Sequence, residues 1–467
     1  MLQENQNCGI SFKKYAENRN RQPLSNIGRT QKGTNLKRSF LDIERIRKDR
    51  VILAAIKLPD KQIETVQESL DELATLCRSA GGEVVGDLIQ ARERFHPGSL
   101  FGEGKLHELK QQCLDVKARL VIYDGDLSPS QQQKLESYLD LAVIDRPALI
   151  LDIFARHAKS REAKTQVELA QLQYILPRLA GHWTHLERQE SAIGSRGPGE
   201  TQLETDRRLV RKKIADLKKS LKKIDSDRNV QRKRRSSKIN FCLIGYTNAG
   251  KSSLFNRLTG DKTLVANRLF ATLDSTTRRV PLKGKSEFLL TDTVGFIRKL
   301  PHNLVASFRS TLKEANTADM LIHVVDFSAH DIEHRIDVVN EVLAEIKAGD
   351  LKRLLVFNKI DVAENLDMRR YLMAKYKGCR FVSAKTGEGL DTVIEALADA
   401  CADMYTDLEA RVSQKDSRAI ALISKMMQIT HSDCVDGDMV FRGDILKYDI
   451  PKLEHEGIKI EFISSIP

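Results

Sequence analysis

No two of the seven cysteines (Cys8, Cys77, Cys113, Cys242, Cys379, Cys401 and Cys434) are spaced as C-x-x-C. An odd, scattered set excludes a disulfide framework and a zinc site, and it points to reduced thiols in a cytoplasm. Nor does any apolar run reach the roughly 18 to 20 residues of a bilayer span, so stable membrane insertion is not expected. Met1 to Asn20 is polar, which argues against a secretory leader. Acids are the minority charge: 64 Asp and Glu face 76 Lys and Arg, a formal +12. Cationic excess favours a polyanionic partner, chiefly nucleic acid or an anionic membrane face. The 467 residues leave room for about three domains with ample cores.

What is present centres on Gly245-Tyr246-Thr247-Asn248-Ala249-Gly250-Lys251-Ser252. The apolar strand Ile239–Ile244 precedes it and a helix starts at Ser253, the context of a phosphate loop. Backbone N–H groups and the positive end of the helix there converge on an anion. Lys251 is placed to reach the β- and γ-phosphates, and Ser252 offers a hydroxyl to Mg²⁺. Further on, Asp292-Thr293-Val294-Gly295 follows the strand Phe288-Leu289-Leu290. There Asp292 can hold Mg²⁺ through water, and the Gly295 N–H can sense a γ-phosphate. Asn358-Lys359-Ile360-Asp361 comes next, after Leu354–Phe357, and a carboxylate at Asp361 matches the donor pair N1–H and amine of guanine. Ser383-Ala384-Lys385 is placed to support the base. Four motifs in this order define a GTP-binding domain.

Between the first two motifs lies the switch segment Phe270-Ala271-Thr272-Leu273-Asp274. A threonine here should bond Mg²⁺ with GTP bound and let go after hydrolysis. Thr272 is chosen, with Thr276 and Thr277 as rivals. Phe296 occupies the place of the water-orienting glutamine of many GTPases. It cannot hydrogen-bond water, so intrinsic hydrolysis should be slow and should need outside help.

The rest of the chain divides as follows. Residues 1–48 read as a basic disordered arm. Residues 49–147 alternate strands and helices, a small α/β domain with a parallel sheet. The Phe101–Lys105 turn lacks the first glycine of a phosphate loop, so a second nucleotide site is disfavoured. Residues 148–235 form a helical hairpin. Its first helix spans Leu149–Leu179 with a kink at Pro177, and its second starts near Glu200. Between them, Ser191–Gly199 is a glycine-rich tip. The second helix bears Arg207, Arg208, Arg211, Lys212, Lys213, Lys218, Lys219, Lys222 and Lys223, a ladder of cations suited to a phosphate backbone. Residues 236–407 are the GTP domain, and 408–467 a small α+β module with a helix over Asp416–Ile429 and strands near 438–441 and 458–462.

Gln166–Leu172, Gly197–Arg208, the phosphate loop, Phe270–Asp274 and Asp292–Phe296 together resemble the HflX GTPases, a ribosome-associated family. The likeness runs from about Val51 to the end. It implies an N-terminal α/β domain, helical hairpin, GTP domain and small C-terminal domain. It also implies binding to the large ribosomal subunit and its rRNA, the hairpin loop reaching towards the peptidyl-transferase region, and splitting of stalled ribosomes under stress. Ser275 stands where the family usually has proline, and Ser191–Gly194 replaces a more glycine-rich tip.

The expectation is a cytoplasmic, monomeric GTPase, with GTP as substrate, Mg²⁺ as cofactor, the large ribosomal subunit as partner and no DNA. Lys251, Asp292 and Gly295 are the catalytic candidates, and Ser252 and Thr272 the metal ligands. A second reading stays open: a non-catalytic RNA-binding or ribosome-assembly scaffold that uses GTP as a conformational switch. A membrane-linked regulator is weaker, because the arm lacks amphipathic period.

Overall fold

A computed structural model describes residues 49–60, 62–95, 98, 100–180, 198–233, 238–260, 269–270, 272–282, 287–299, 314–363 and 365–462. The arm at 1–48, most of the hairpin tip, Arg234, Arg235 and Ala271 lie outside them. The chain divides into two compact units. The first comprises Met1–Ala158, Lys164–Lys218 and Lys299–Leu304; the second comprises Lys159–Ala163, Lys219–Arg298 and Val305–Pro467.

In the first unit, β1 (Arg50–Lys57) is a central strand whose residues Val51 to Ile56 are all buried. A run apolar at every position, with no alternation, is what a strand covered on both faces requires. It pairs in parallel with β2 (Glu83–Ala91) and β3 (Leu120–Tyr123), and β3 pairs with β4 (Ala142–Asp145), giving the order β2-β1-β3-β4. The crossovers are α1 (Ile63–Ser79), α2 (Glu103–Asp115) and α3 (Pro129–Leu139). Ser128 caps α3 in a reciprocal capping box with Gln131, which fixes where that helix starts. Ile52, Ala54, Val121 and Val143 pack against Leu106, Leu109, Leu135 and Leu139, closing one face of the sheet.

Charge is buried where β3 and β4 end. Arg146 is fully buried and pairs with Asp124 and Glu72, both at 2.7 Å, while the Ser69 hydroxyl donates to Asp124 at 2.7 Å. Burial pushes the Asp124 carboxyl up, but Arg146 and Lys299 outweigh it and hold it below the usual range. Beside it, Asp145 accepts from the Ala148 and Leu127 N–H groups at 2.9 and 3.1 Å, from the Tyr174 hydroxyl at 2.8 Å and from Arg178 at 3.0 Å.

The helical period over Leu149–Leu179 is not one kinked helix. α4 (Arg146–His157) stops at Ala158, whose backbone is extended, and α5 (Arg161–Ile175) begins afresh behind Ser160. The Ser160 hydroxyl accepts from the Ala163 N–H at 3.0 Å, an N-cap that the apolar period conceals. Pro177 then falls in a 3₁₀ turn, Leu176–Ala180. α6 (Pro198–Lys233) is the long cationic helix, and its Lys213 pairs with Glu168 of α5 at 3.3 Å. Arg208, Arg211, Lys212, Lys218, Lys219, Lys222 and Lys223 are exposed, whereas Leu217 is buried.

The second unit carries a six-stranded sheet, order β10-β9-β8-β5-β7-β6, parallel except for β6. Its strands are β5 (Asn240–Gly245), β6 (Thr276–Pro281), β7 (Glu287–Asp292), β8 (Met320–Asp326), β9 (Arg353–Asn358) and β10 (Arg380–Val382). Its helices are α7 (Lys251–Thr259), α8 (Ile332–Glu345), α9 (Leu366–Lys375) and α10 (Leu390–Met404). The chain turns left of β5 to β8 and right of it to β7, so the loop after β5 lies at the point where strand order reverses, where α/β sheets bind ligands.

His323 is buried in β8, its Nε2 has no hydrogen-bond partner, and burial, with Arg353 and Lys251 nearby, lowers its pKa to about 3. Its folded value lies below that of the unfolded chain, so its contribution is complete above about pH 6.5 and is lost as pH falls towards 3. The expected slope is about 1.4 kcal/mol per pH unit across that window. Denaturant midpoints of wild type and His323→Leu between pH 6.5 and 4.5 check this: the variant should lose that part of the slope, and parallel curves would refute it.

The C-terminal part is an α+β module, as expected, with one helix end that differs. β11 (Tyr405–Ser413) follows α10 without a linker, then come α11 (Ser417–Met426), β12 (Met427–Val435), β13 (Asp438–Leu446), α12 (Ile450–His455) and β14 (Lys459–Phe462). The antiparallel order β12-β13-β11-β14 makes a βαββαβ unit. The helix expected over Asp416–Ile429 ends at Met426, because the chain turns extended at Met427 and pairs with β13. Asp436-Gly437, both at positive φ, close that hairpin.

Candidate nucleotide site

One cavity of about 390 Å³ collects residues from all four motifs and from the switch segment: Thr247, Asn248, Gly250, Lys251 and Ser252; Thr293 and Gly295; Asn358, Lys359 and Asp361; Ala384 and Lys385; and Thr272 of the switch. Phe270 also lines it, as do Ser253 and Val362, which the motifs do not single out. Gly245, Tyr246, Ala249, Leu273, Asp274, Asp292, Val294, Ile360 and Ser383 are not among the lining residues.

The phosphate end is built on close backbone approach. A Cβ at Gly250, whose φ is +90°, would sit 2.1 Å from Asn358 Nδ2. One at Gly295 would sit 2.8 Å from Lys251 Nζ and from Thr247 Cα. Both positions exclude a side chain, which leaves room for phosphate oxygens near the N–H groups. Lys251 is buried and donates to the Gly245 and Tyr246 carbonyls at 3.1 and 2.9 Å. Burial lowers its pKa to about 8, with Asp292 opposing. A cation held this way is poised to swing onto an incoming anion.

Oxygen donors gather beside it. Ser252 Oγ lies 2.7 Å from Thr272 Oγ1 and donates to Asp292 Oδ2 at 2.7 Å. Asp292 Oδ1 is buried with no hydrogen-bond partner. Burial pushes this carboxyl up, opposed by the Ser252 hydroxyl and Lys251. Two hydroxyls and a carboxylate with an orphaned oxygen are hard ligands, which fits Mg²⁺ with water completing its shell. The rival threonines lie elsewhere: Thr276 and Thr277 belong to β6, and the Thr277 hydroxyl is 3.0 Å from that of Thr291.

At the base end, Asn358 donates to the Ala249 carbonyl at 2.9 Å and accepts from the Ala384 N–H at 2.9 Å, stitching phosphate loop to base loop. Asp361 accepts from the Ser383 hydroxyl at 2.7 Å, which aims its carboxylate. Lys359 is held by Asp326 at 2.7 Å.

Comparison with known proteins follows this layout. Residues 67–155 match the family profile described as "GTP-binding GTPase N-terminal", 157–235 "GTP-binding GTPase Middle Region" and 240–359 "50S ribosome-binding GTPase". The GTPase HflX of Flavobacterium psychrophilum is 48% identical over 327 residues, 70% of this chain and 79% of that one. That of Escherichia coli K12 is 43% identical over 354 residues, 75% and 83% of the two chains. The chain belongs to the HflX GTPase family. It is accordingly a GTPase, converting GTP to GDP and phosphate. Among solved structures, a GTP-binding protein from Sulfolobus solfataricus in complex with GDP is 26% identical, covering 76% of this chain and 99% of that one at a TM-score of 0.41.

For an HflX GTPase the treatment of Phe296 matters most. Its backbone clips to the phosphate loop: its N–H donates to the Gly245 carbonyl at 3.1 Å and its carbonyl accepts from the Thr247 N–H at 2.7 Å. The ring turns the other way, into a core with Cys242, Ile244, Ala315 and Leu321. No polar side chain at this position can orient water.

Sequence reading missed three groups that brace the site. Arg257 of α7 donates to the Ala384 and Lys385 carbonyls at 3.0 and 2.6 Å, tying the base loop to the phosphate helix. The Tyr246 hydroxyl accepts from the Arg298 N–H at 2.8 Å, while Arg298 and Arg335 both pair with Asp331. Lys159 and Ser160 bind Asp274. Apart from Arg335 and Asp331, the partners lie far apart in the chain, and no local spacing announces them.

Among the described residues no helix is long and apolar enough to cross a membrane. The described cysteines are all free, Cys434 exposed and the others buried.

Proposed function

We propose that the protein binds the large ribosomal subunit in its GTP form, hydrolyses GTP in response to that contact, and acts in splitting or rescuing stalled ribosomes under stress. The observation that carries this reading is the pairing of a complete guanine-nucleotide cavity with a long helix whose exposed face is cationic. The family description as a 50S ribosome-binding GTPase supports it.

In this reading Lys251 leaves the Gly245 and Tyr246 carbonyls to bind the β- and γ-phosphates, and the Gly295 N–H meets the γ-phosphate. Ser252 and Thr272 would hold Mg²⁺ directly and Asp292 through water, and the ion supplies neutralisation of phosphate charge. Asp361 accepts from guanine, and the loop Ser383–Lys385 backs the base. Because Phe296 is committed to the core, the group that orients water comes from the ribosome. The α6 cations neutralise rRNA phosphates.

GTP turnover by the full chain, alone and with isolated large subunits across a salt series, tests the proposal. Strong stimulation that fades as salt rises is expected, with a shallower salt dependence when Lys218, Lys219, Lys222 and Lys223 are all replaced by glutamine. Bound GTP without stimulation at any salt would overturn it and favour a scaffold that uses nucleotide only to set its shape.

A further inference from the structure

Three consecutive switch residues are each fixed, and in different surroundings. Thr272 touches Ser252 in the site at 2.7 Å, Leu273 is 2% exposed, and Asp274 engages the start of α5. Asp274 Oδ2 accepts from the Lys159 and Ser160 N–H groups at 3.0 and 3.1 Å, and its Oδ1 accepts from the Ser160 hydroxyl. That same hydroxyl caps α5 at the Ala163 N–H, 3.0 Å away. A carboxylate that takes the N–H groups just ahead of a helix is favoured by those hydrogen bonds and by the positive end of the helix dipole beside it. Lys159–Ala163 and the switch belong to the same unit, and α5 continues from there into the middle region.

From this geometry we infer that Asp274 and Ser160 are positioning residues for GTP hydrolysis: their bonds latch the switch segment to α5, so that Thr272 is held over Ser252 and Asp292. The inference rests on Thr272 as the switch ligand of Mg²⁺. Residues 272 and 274 are two apart, so their Cα atoms are separated by at most about 7 Å. Neither end can travel far without the other. Closing the latch prepays the ordering of Thr272 when the γ-phosphate arrives, and loss of that phosphate loosens the α5 cap. GDP, which does not need Thr272, gains nothing from the latch.

The test uses the full chain with Asp274→Ala, Asp274→Asn and Ser160→Ala, and Thr272→Ala as reference. Affinities for a non-hydrolysable GTP analogue and for GDP are measured with Mg²⁺ and with EDTA, together with amide exchange over Lys159–Ala163. Asp274→Ala should weaken the analogue roughly 10- to 100-fold in Mg²⁺, the scale of lost hydrogen bonds to a charged group, and GDP by no more than about 3-fold. Asp274→Asn and Ser160→Ala should fall between it and wild type. In wild type, exchange at Ser160–Ala163 should be slower with the analogue than with GDP. Equal weakening of both nucleotides, or of neither, in all three latch variants would overturn the latch; general destabilisation cannot mimic the split. If Asp274→Ala does not fold, Asp274→Asn and Ser160→Ala decide. Thr272→Ala separates the two claims: if it leaves the Mg²⁺-dependent preference for the analogue intact, the ligand reading falls, whereas a normal loss there with no effect at Asp274 removes the latch alone.

Discussion

Exchanging Lys251 for methionine is expected to lower GTP turnover by roughly two to three orders of magnitude, the usual effect of removing one preorganised donor to developing charge. Nothing else among the cavity-lining residues at the phosphate end carries a fixed cation in reach of Thr247 and Gly295. The methionine keeps the apolar stem and loses the ammonium together with its bonds to the Gly245 and Tyr246 carbonyls, so thermal unfolding of the variant is measured alongside turnover. A pH signature accompanies the effect. Burial lowers this ammonium to about 8 before nucleotide binds, and phosphate oxygens must raise it afterwards. Binding therefore takes up a proton above that value: affinity is complete below about pH 8 and weakens as pH rises past it, approaching roughly tenfold per unit. Titrating nucleotide affinity from pH 7 to 10 would reveal this bend in wild type, and the methionine variant should be flat. A bend that survives in the variant belongs to another group.

Asp361→Asn should redirect the base choice. In the proposed reading the carboxylate, which accepts from the Ser383 hydroxyl at 2.7 Å, would accept from both donors of guanine. An amide in its place puts a donor against the guanine amine and leaves one bond unmade at a half-buried side chain. Sites built to hydrogen-bond a group reject its mismatch by about 10⁴-fold, and a loss of that order in GTP affinity is expected. Xanthine carries an oxygen where guanine has its amine, so xanthosine triphosphate should become the better ligand. Competition between the two triphosphates measures the switch; an unchanged ratio would place the base elsewhere.

The four nucleotide motifs were legible because each is contiguous and each closes a strand, so local spacing and the sheet's topology agree. Thr272 could be preferred over Thr276 and Thr277 on spacing alone, and its hydroxyl does lie beside Ser252. Other features were not legible for identifiable reasons. The apolar period continues straight through Ala158–Ser160, so it hides the cap that starts α5. Met426 and Met427 continue a helical stripe, and only pairing with β13 ends it. The Arg146, Asp124 and Glu72 cluster joins residues more than twenty positions apart. The Asp274 bonds to Lys159 and Ser160 span more than a hundred. Such contacts appear only once the chain is folded.

Phe296 has a meaning for how this enzyme could change over generations. Its ring fills a core pocket, so Phe296→Gln would do more than add a polar group beside the nucleotide. It would leave a hole where the ring packed and strand an amide among apolar neighbours, at a cost of several kcal/mol. A water-orienting side chain is therefore not reached at this position by one substitution without loss of core packing.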